Sequence, residues 1–125
     1  MSQFATRELD GVTVIEAEGR LDAPASPRLD RSLTRALEAG PARLVVDFQR
    51  VSYISSSCLR VLLLGARRTR GQGGDLKLCC LAGRVRQIFA LAGFDLVFEL
   101  YDTLDQAVAA FAASPGGPKV TCTPG

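Results

Sequence analysis

Leu44-Val45-Val46-Asp47-Phe48 opens the stretch that decides the fold. The chain continues through Val51-Ser52-Tyr53-Ile54, meets Ser55-Ser56-Ser57, and runs into Leu59-Arg60-Val61-Leu62-Leu63-Leu64-Gly65-Ala66-Arg67-Arg68. A continuous apolar run ended by polar residues suits a strand buried on both faces. Leu59, Leu62, Leu63 and Ala66 then recur at the spacing of one helical face, with Ser57, Val61, Leu64 and Arg68 roughly opposite. The stretch therefore predicts a buried strand, a turn, and serines delivered to a helix N-terminus. Ser55 is the expected N-cap, because its hydroxyl can accept from an unpaired N–H of the first turn. Capping needs one serine of the three, and a functional role for the other two stays open on the residues alone.

On the N-terminal side, residues 4–9 and 12–18 predict two strands joined by Asp10-Gly11, a strong hairpin signal. Ala23-Pro24 predicts extended chain, followed by a helix capped by Ser26 with Pro27 at its first position. Leu29, Leu33, Ala36 and Leu37 supply its buried stripe, and Gly40-Pro41 ends it. On the C-terminal side, Gly71-Gln72-Gly73-Gly74 breaks the chain before a strand over residues 75–81. A short helix with Val85, Ile88, Phe89 and Ala92 follows, ended by Gly93, and then a strand over residues 97–100. Thr103 and Gln106 form a capping box ahead of Leu104, Ala107, Val108 and Phe111. Residues 114–125 are rich in turn formers and predict a disordered tail beyond a domain spanning residues 1–113. The order is β-β-α-β-α-β-α-β-α, an α/β domain with a mixed sheet of about five strands and about four packed helices.

At 125 residues the chain supports one core. A net charge of +2 and the absence of Trp give no basic stripe interleaved with aromatics, so direct nucleic-acid binding is not expected. Arg67, Arg68 and Arg70 suit the negative end of a helix dipole. No apolar run resembles a signal peptide or reaches membrane-spanning length, so a cytoplasmic protein without membrane insertion is expected. The four cysteines, Cys58, Cys79, Cys80 and Cys122, lack zinc-site spacing and there is no histidine, so no metal ligands are expected. Strand alternation would point Cys79 and Cys80 to opposite faces, which predicts reduced thiols.

The catalytic kits are missing too. Without histidine there is no Ser-His or Cys-His pair, and no Ser-x-x-Lys follows the serines. The glycine-rich segment at residues 71–74 precedes a strand and lacks the Lys-Ser/Thr of a phosphate-binding loop. Asp102 and Asp105 flank a helix start, where carboxylates suit the dipole. No catalytic residue and no cofactor is expected. An enzyme or redox protein using Cys58 or Cys79-Cys80 would need a strongly acidic thiol.

The segment from Val45 through Tyr53-Ile54-Ser55-Ser56-Ser57-Cys58-Leu59 to Leu63 resembles the signature of STAS domains, specifically the stand-alone anti-sigma factor antagonists. Gly19-Arg20-Leu21-Asp22 is similar to the family's loop after its second strand. Leu91-Ala92-Gly93-Phe94-Asp95 and Phe98-Glu99-Leu100-Tyr101 are similar to its C-terminal half. The resemblance implies that Ser56 is phosphorylated by a partner that is both anti-sigma factor and serine kinase. It also implies that the unphosphorylated form binds that partner to release a sigma factor, and that a serine phosphatase restores the hydroxyl. The resemblance places Asp22, Ser55, Ser56 and Ser57 at the partner surface, and Arg60 and Leu64 of the following helix are expected to extend it as a docking stripe. One departure stands out: the family's glycine is Cys58 here, whose side chain either packs inward or narrows access to Ser56. The alternative within the family is a STAS adaptor subunit of a lipid-transport or other regulatory complex, with Ser56 only part of a docking surface.

Overall fold

Asp10 and Gly11 both sit at positive φ, 51° and 79°, so the chain reverses in the two-residue turn that its dipeptide predicts. The computed structural model describes residues 3–40 and 42–113. The turn joins β1 (Gln3–Leu9) to β2 (Val12–Leu21), and α1 (Ser26–Ala39), β3 (Arg43–Ile54) and α2 (Ser56–Gly71) follow. The C-terminal half holds β4 (Asp75–Cys79), α3 (Gly83–Leu91), β5 (Leu100–Tyr101) and α4 (Leu104–Ala113). The expected element order and mixed sheet are both present. The five strands lie side by side in chain order, β1 antiparallel to β2 and every later pair parallel. The expected tail and Cys122 lie outside the described residues.

The continuous apolar run of β3 is explained by cores on both sides of the sheet. Leu44, Val46 and Phe48 join the large core built with Leu29 and Leu33 of α1, Leu59 and Leu62 of α2, and Val85 and Phe89 of α3. Val45 points the other way, into a smaller core with Val12, Val14 and the α4 residues Ala107 and Val108. Three helices thus cover one face and α4 covers part of the other. Phe89 sits edge-on to Phe48 at 5.7 Å and to Phe98 at 6.4 Å, which seats α3 on the sheet. Where α2 meets α1, a Cβ on Gly65 would meet Leu33 Cδ1 at 2.8 Å, so a larger residue there would require the Leu33 side chain to shift. At the entry to β4 a Cβ on Gly74 would overlap the Ala42 carbonyl oxygen at 1.7 Å.

Several local expectations differ from the structure. Ala23–Ala25 forms a 3-10 turn containing Pro24, not extended chain. Ser26 is the first residue of α1 and its hydroxyl donates to the Ala23 carbonyl at 2.9 Å, so it caps no first-turn N–H; Ala25 holds the N-cap position. The strand expected over residues 97–100 is displaced to β5, because residues 94–96 form a second 3-10 turn after Gly93 at φ 77°. The two phenylalanines there, Phe94 and Phe98, are spent on the α3 core, with ring centroids 6.0 Å apart. The strand expected over residues 75–81 ends at Cys79, because Cys80 turns to φ 65°. The α4 cap forms as expected: the Gln106 N–H donates to Thr103 Oγ1 at 3.1 Å. Gln106 Oε1 accepts from the Asp102 N–H at 3.2 Å.

Candidate functional site

β2 and β3 run parallel and end together, Leu21 opposite Ile54, so the loops after them meet at one end of the sheet. The Ser55 N–H donates to the Leu21 carbonyl at 2.8 Å and fixes the start of α2 against the end of β2. Ser55 is extended, at φ −88° and ψ 165°, and its hydroxyl accepts from the Cys58 N–H at 3.3 Å. That is the expected N-cap geometry.

With Ser55 as cap, Ser56 is the first helical residue. It is exposed, Ser57 is half-buried, and Cys58 is fully buried. First-turn N–H groups have no partner inside a helix, and the dipole there is positive, so this end of α2 favours added negative charge. Asp22 comes alongside from the loop after β2: its carbonyl accepts from the Cys58 thiol at 3.4 Å and from the Ala25 N–H at 2.9 Å. Arg20 stacks over the Tyr53 ring, 4.5 Å from its centroid, and braces the two strand ends just before the loops. The structure therefore brings Asp22, Ser55, Ser56 and Ser57 together.

Cys58 points inward, into the core that α2 forms with the sheet. Of the two roles open to it, packing is the one observed, and no side chain is placed beside Ser56 by this substitution.

The outer face of α2 matches the expected one at Leu64 and Arg68, which are exposed, and differs at Ser57 and Val61, which are half-buried. Ser56, Arg60, Leu64 and Arg67 are exposed, one turn or nearly so apart. Val61 is half-buried against the large core, and Arg68 donates to Thr34 Oγ1 of α1 at 2.9 Å. The missed feature is that α1 lies against this side of α2, where Gly65 meets Leu33 and Arg68 meets Thr34. Arg70 is likewise occupied, pairing with Asp75 Oδ1 at 2.9 Å and donating to the Val97 carbonyl at 3.1 Å. Arg68 and Arg70 of the basic cluster are struts at the end of the helix.

Burial pushes all three described thiols above the usual cysteine range. For Cys58 the Asp22 charge adds to burial, against a lowering hydrogen bond with Ser55. For Cys79 burial is reinforced by the Asp47 charge, and Cys80 is raised chiefly by burial. With no cation beside them among the described residues, these environments disfavour a nucleophilic thiolate. Cys79 and Cys80 do not point to opposite faces as strand alternation would have it. Both pack with the α4 core, because the left-handed turn at Cys80 breaks the alternation. No described helix is long and apolar enough to cross a membrane.

The model of the STAS domain matches residues 3–107. BtrV of Bordetella bronchiseptica, which carries a provisional name as an anti-sigma factor antagonist, is 35% identical over 104 residues, 83% of this chain and 90% of that protein. An anti-sigma factor antagonist from Mycobacterium paratuberculosis superposes with a TM-score of 0.80 at 27% identity, covering 88% of this chain and 93% of that one. The Bacillus cell fate determinant SpoIIAA in its phosphorylated form shares the fold, with a TM-score of 0.67 at 20% identity over 86% of this chain and 98% of that one. A buried strand that hands serines to the start of α2, a loop carrying Asp22 beside them and a family match over nearly all of the described residues lead to one assignment: the chain belongs to the STAS domain family.

Proposed function

We propose that this protein is an anti-sigma factor antagonist switched by phosphorylation of Ser56. Unphosphorylated, it binds an anti-sigma factor that is also a serine kinase, and so frees a sigma factor. Phosphorylation of Ser56 by that partner ends binding, and a serine phosphatase restores the hydroxyl. The protein acts in the cytoplasm, as a binding module without catalytic residues or cofactor.

The observation that carries this reading is the placement of Ser56. It is exposed at the first helical position of α2 while Ser55 does the capping, so its hydroxyl is not consumed by the fold. The names of the relatives support the antagonist role. A phosphate on Ser56 adds about −1.5 to −2 charges at neutral pH, and a helix N-terminus tolerates them. The fold should then persist, and the switch operates at the contact surface by charge mismatch and desolvation. A hundredfold loss of affinity requires ~2.7 kcal/mol, within reach of one buried unmatched charge.

The partner surface that follows from this geometry is Asp22, Ser55, Ser56 and Ser57 at the strand ends, continued along α2 by Arg60 and Leu64. Incubation with the candidate kinase and ATP, followed by mapping of the phosphate, tests the reading. Phosphate on Ser56 supports it. No phosphate on any serine, with binding unaffected by Ser56→Asp, would make the adaptor role the better account.

A further inference from the structure

We propose that Asp47, Cys79 and Cys80 form a binding site for a thiophilic divalent cation of the zinc type, on the sheet face that carries α4. One ligand atom from each residue lies within 4.8 Å of the others. A tetrahedral zinc ion with sulfur at ~2.3 Å and carboxylate oxygen at ~2.1 Å holds such atoms about 3.6–3.8 Å apart, so only small side-chain movements separate the observed cluster from a coordinated one.

The fold assembles this donor set from two neighbouring strands. Asp47 and Cys79 are partners in the parallel β3–β4 ladder, the last pair in it, with Asp47 pointing away from the large core. Cys80 would leave that face in a regular strand, but its φ of 65° brings it back into the core that Cys79 lines. The Cys80 N–H donates to the Tyr101 carbonyl at 2.9 Å and holds the turn. Asp47 Oδ1 accepts from the Gln49 N–H at 2.9 Å, which orients the carboxylate in the way that supporting bonds orient metal ligands.

Access comes from the uncovered end of the same face. A groove of about 230 Å³ is lined by Asp47, Glu16, Glu18, Gln49 and Arg50 among others, so the cluster borders it through the buried Asp47. Two thiols and one carboxylate are a donor set for zinc, cadmium or cobalt, and not for the oxygen-seeking magnesium or calcium. Binding replaces two S–H bonds with two metal–sulfur bonds and releases both protons to solvent. The two thiolates and the carboxylate, −3 in total, then hold a +2 ion, and a water would supply the fourth ligand.

The test is anaerobic titration with cobalt(II) of the reduced chain carrying Cys122→Ser, which removes the thiol outside the described residues. The expected result is a thiolate-to-cobalt charge-transfer band that saturates at one equivalent and is abolished by added zinc. Cys80→Ser and Asp47→Asn should each weaken cobalt binding by more than the roughly 10- to 100-fold that loss of a supporting residue costs, with the far-ultraviolet circular dichroism unchanged. Absence of the band, or a band unaltered by Cys80→Ser, overturns the site. Should the substituted chains fail to fold, alkylation of the otherwise unaltered chain decides. Protection of Cys80 by zinc supports the site, and unchanged labelling overturns it.

Discussion

The Cys58 thiol donates to the Asp22 carbonyl across 3.4 Å, joining the first turn of α2 to the loop after β2. The residue that departs from the family pattern is therefore a fastener between the two segments proposed to meet the partner. Cys58→Gly removes a fully buried side chain and places glycine in a helical turn. The expected cost is about 1.5–2.5 kcal/mol in urea unfolding. The rate of Ser56 phosphorylation should not rise, because the side chain points away from Ser56. A clear acceleration with no loss of stability would mean that Cys58 restricts access.

Leu64 lies two turns beyond Ser56 on the exposed side of α2 and is 46% exposed. Leu64→Lys should change folding stability by less than about 0.5 kcal/mol. Its affinity for the anti-sigma partner should fall about tenfold or more, ~1.4 kcal/mol. Thermal unfolding and titration calorimetry on the same preparation separate the two effects. An unfolded variant, or unchanged affinity, removes Leu64 from the proposed surface.

Lys77 is the buried strut of the α4 side. Its ammonium donates to Glu99 Oε1 at 2.6 Å and Asp75 Oδ2 at 3.1 Å, and lies 4.8 Å from the centre of the Phe111 ring. Lys77→Ala removes the buried cation that Glu99 and Asp75 share, leaves Asp75 with Arg70 and Glu99 with Tyr101, and opens a gap under α4. The expected loss is about 2 kcal/mol, less than for a fully buried pair because the Glu99 side chain stays 39% exposed to water. A loss under about 0.5 kcal/mol by urea titration would show that the strut is dispensable.

Tyr101 donates to Glu99 Oε1 at 2.6 Å, and burial, followed by that bond and the Glu99 charge, pushes its phenol well above the usual tyrosine range. The folded state therefore holds this proton more tightly than the unfolded state. Its contribution to stability is complete below about pH 10, the unfolded value, and declines as pH rises beyond it. Stability of the wild-type chain should fall more steeply above that pH than stability of Tyr101→Phe. Equal slopes in the two chains would remove the effect.

How legible the chain was depended on how local the cause was. The Asp10-Gly11 turn, the Leu29–Leu33–Ala36–Leu37 stripe and the Ser55 cap are each set by a few adjacent residues, and each is where the sequence places it. Ser26 misled because its hydroxyl satisfies the 3-10 turn at Pro24 instead of α1. The strand expected over residues 97–100 starts only at Leu100, because Phe98 serves the Phe89 cluster and not a strand. The outward side of α2 depends on where α1 lies, and Gly65 and Leu33 meet from helices far apart in sequence. The Asp47–Cys79–Cys80 cluster depends on strand register together with one left-handed residue, and neither is visible in cysteine spacing.

The central claim is that negative charge on Ser56 ends partner binding without disturbing the fold. Its most direct test is the affinity of the anti-sigma kinase for the unmodified chain and for the chain phosphorylated on Ser56, by titration calorimetry. The account predicts a loss of at least about a hundredfold, ~2.7 kcal/mol, with circular dichroism and melting temperature nearly unchanged. Equal affinity for the two forms, or a loss accompanied by unfolding of α2, would contradict it.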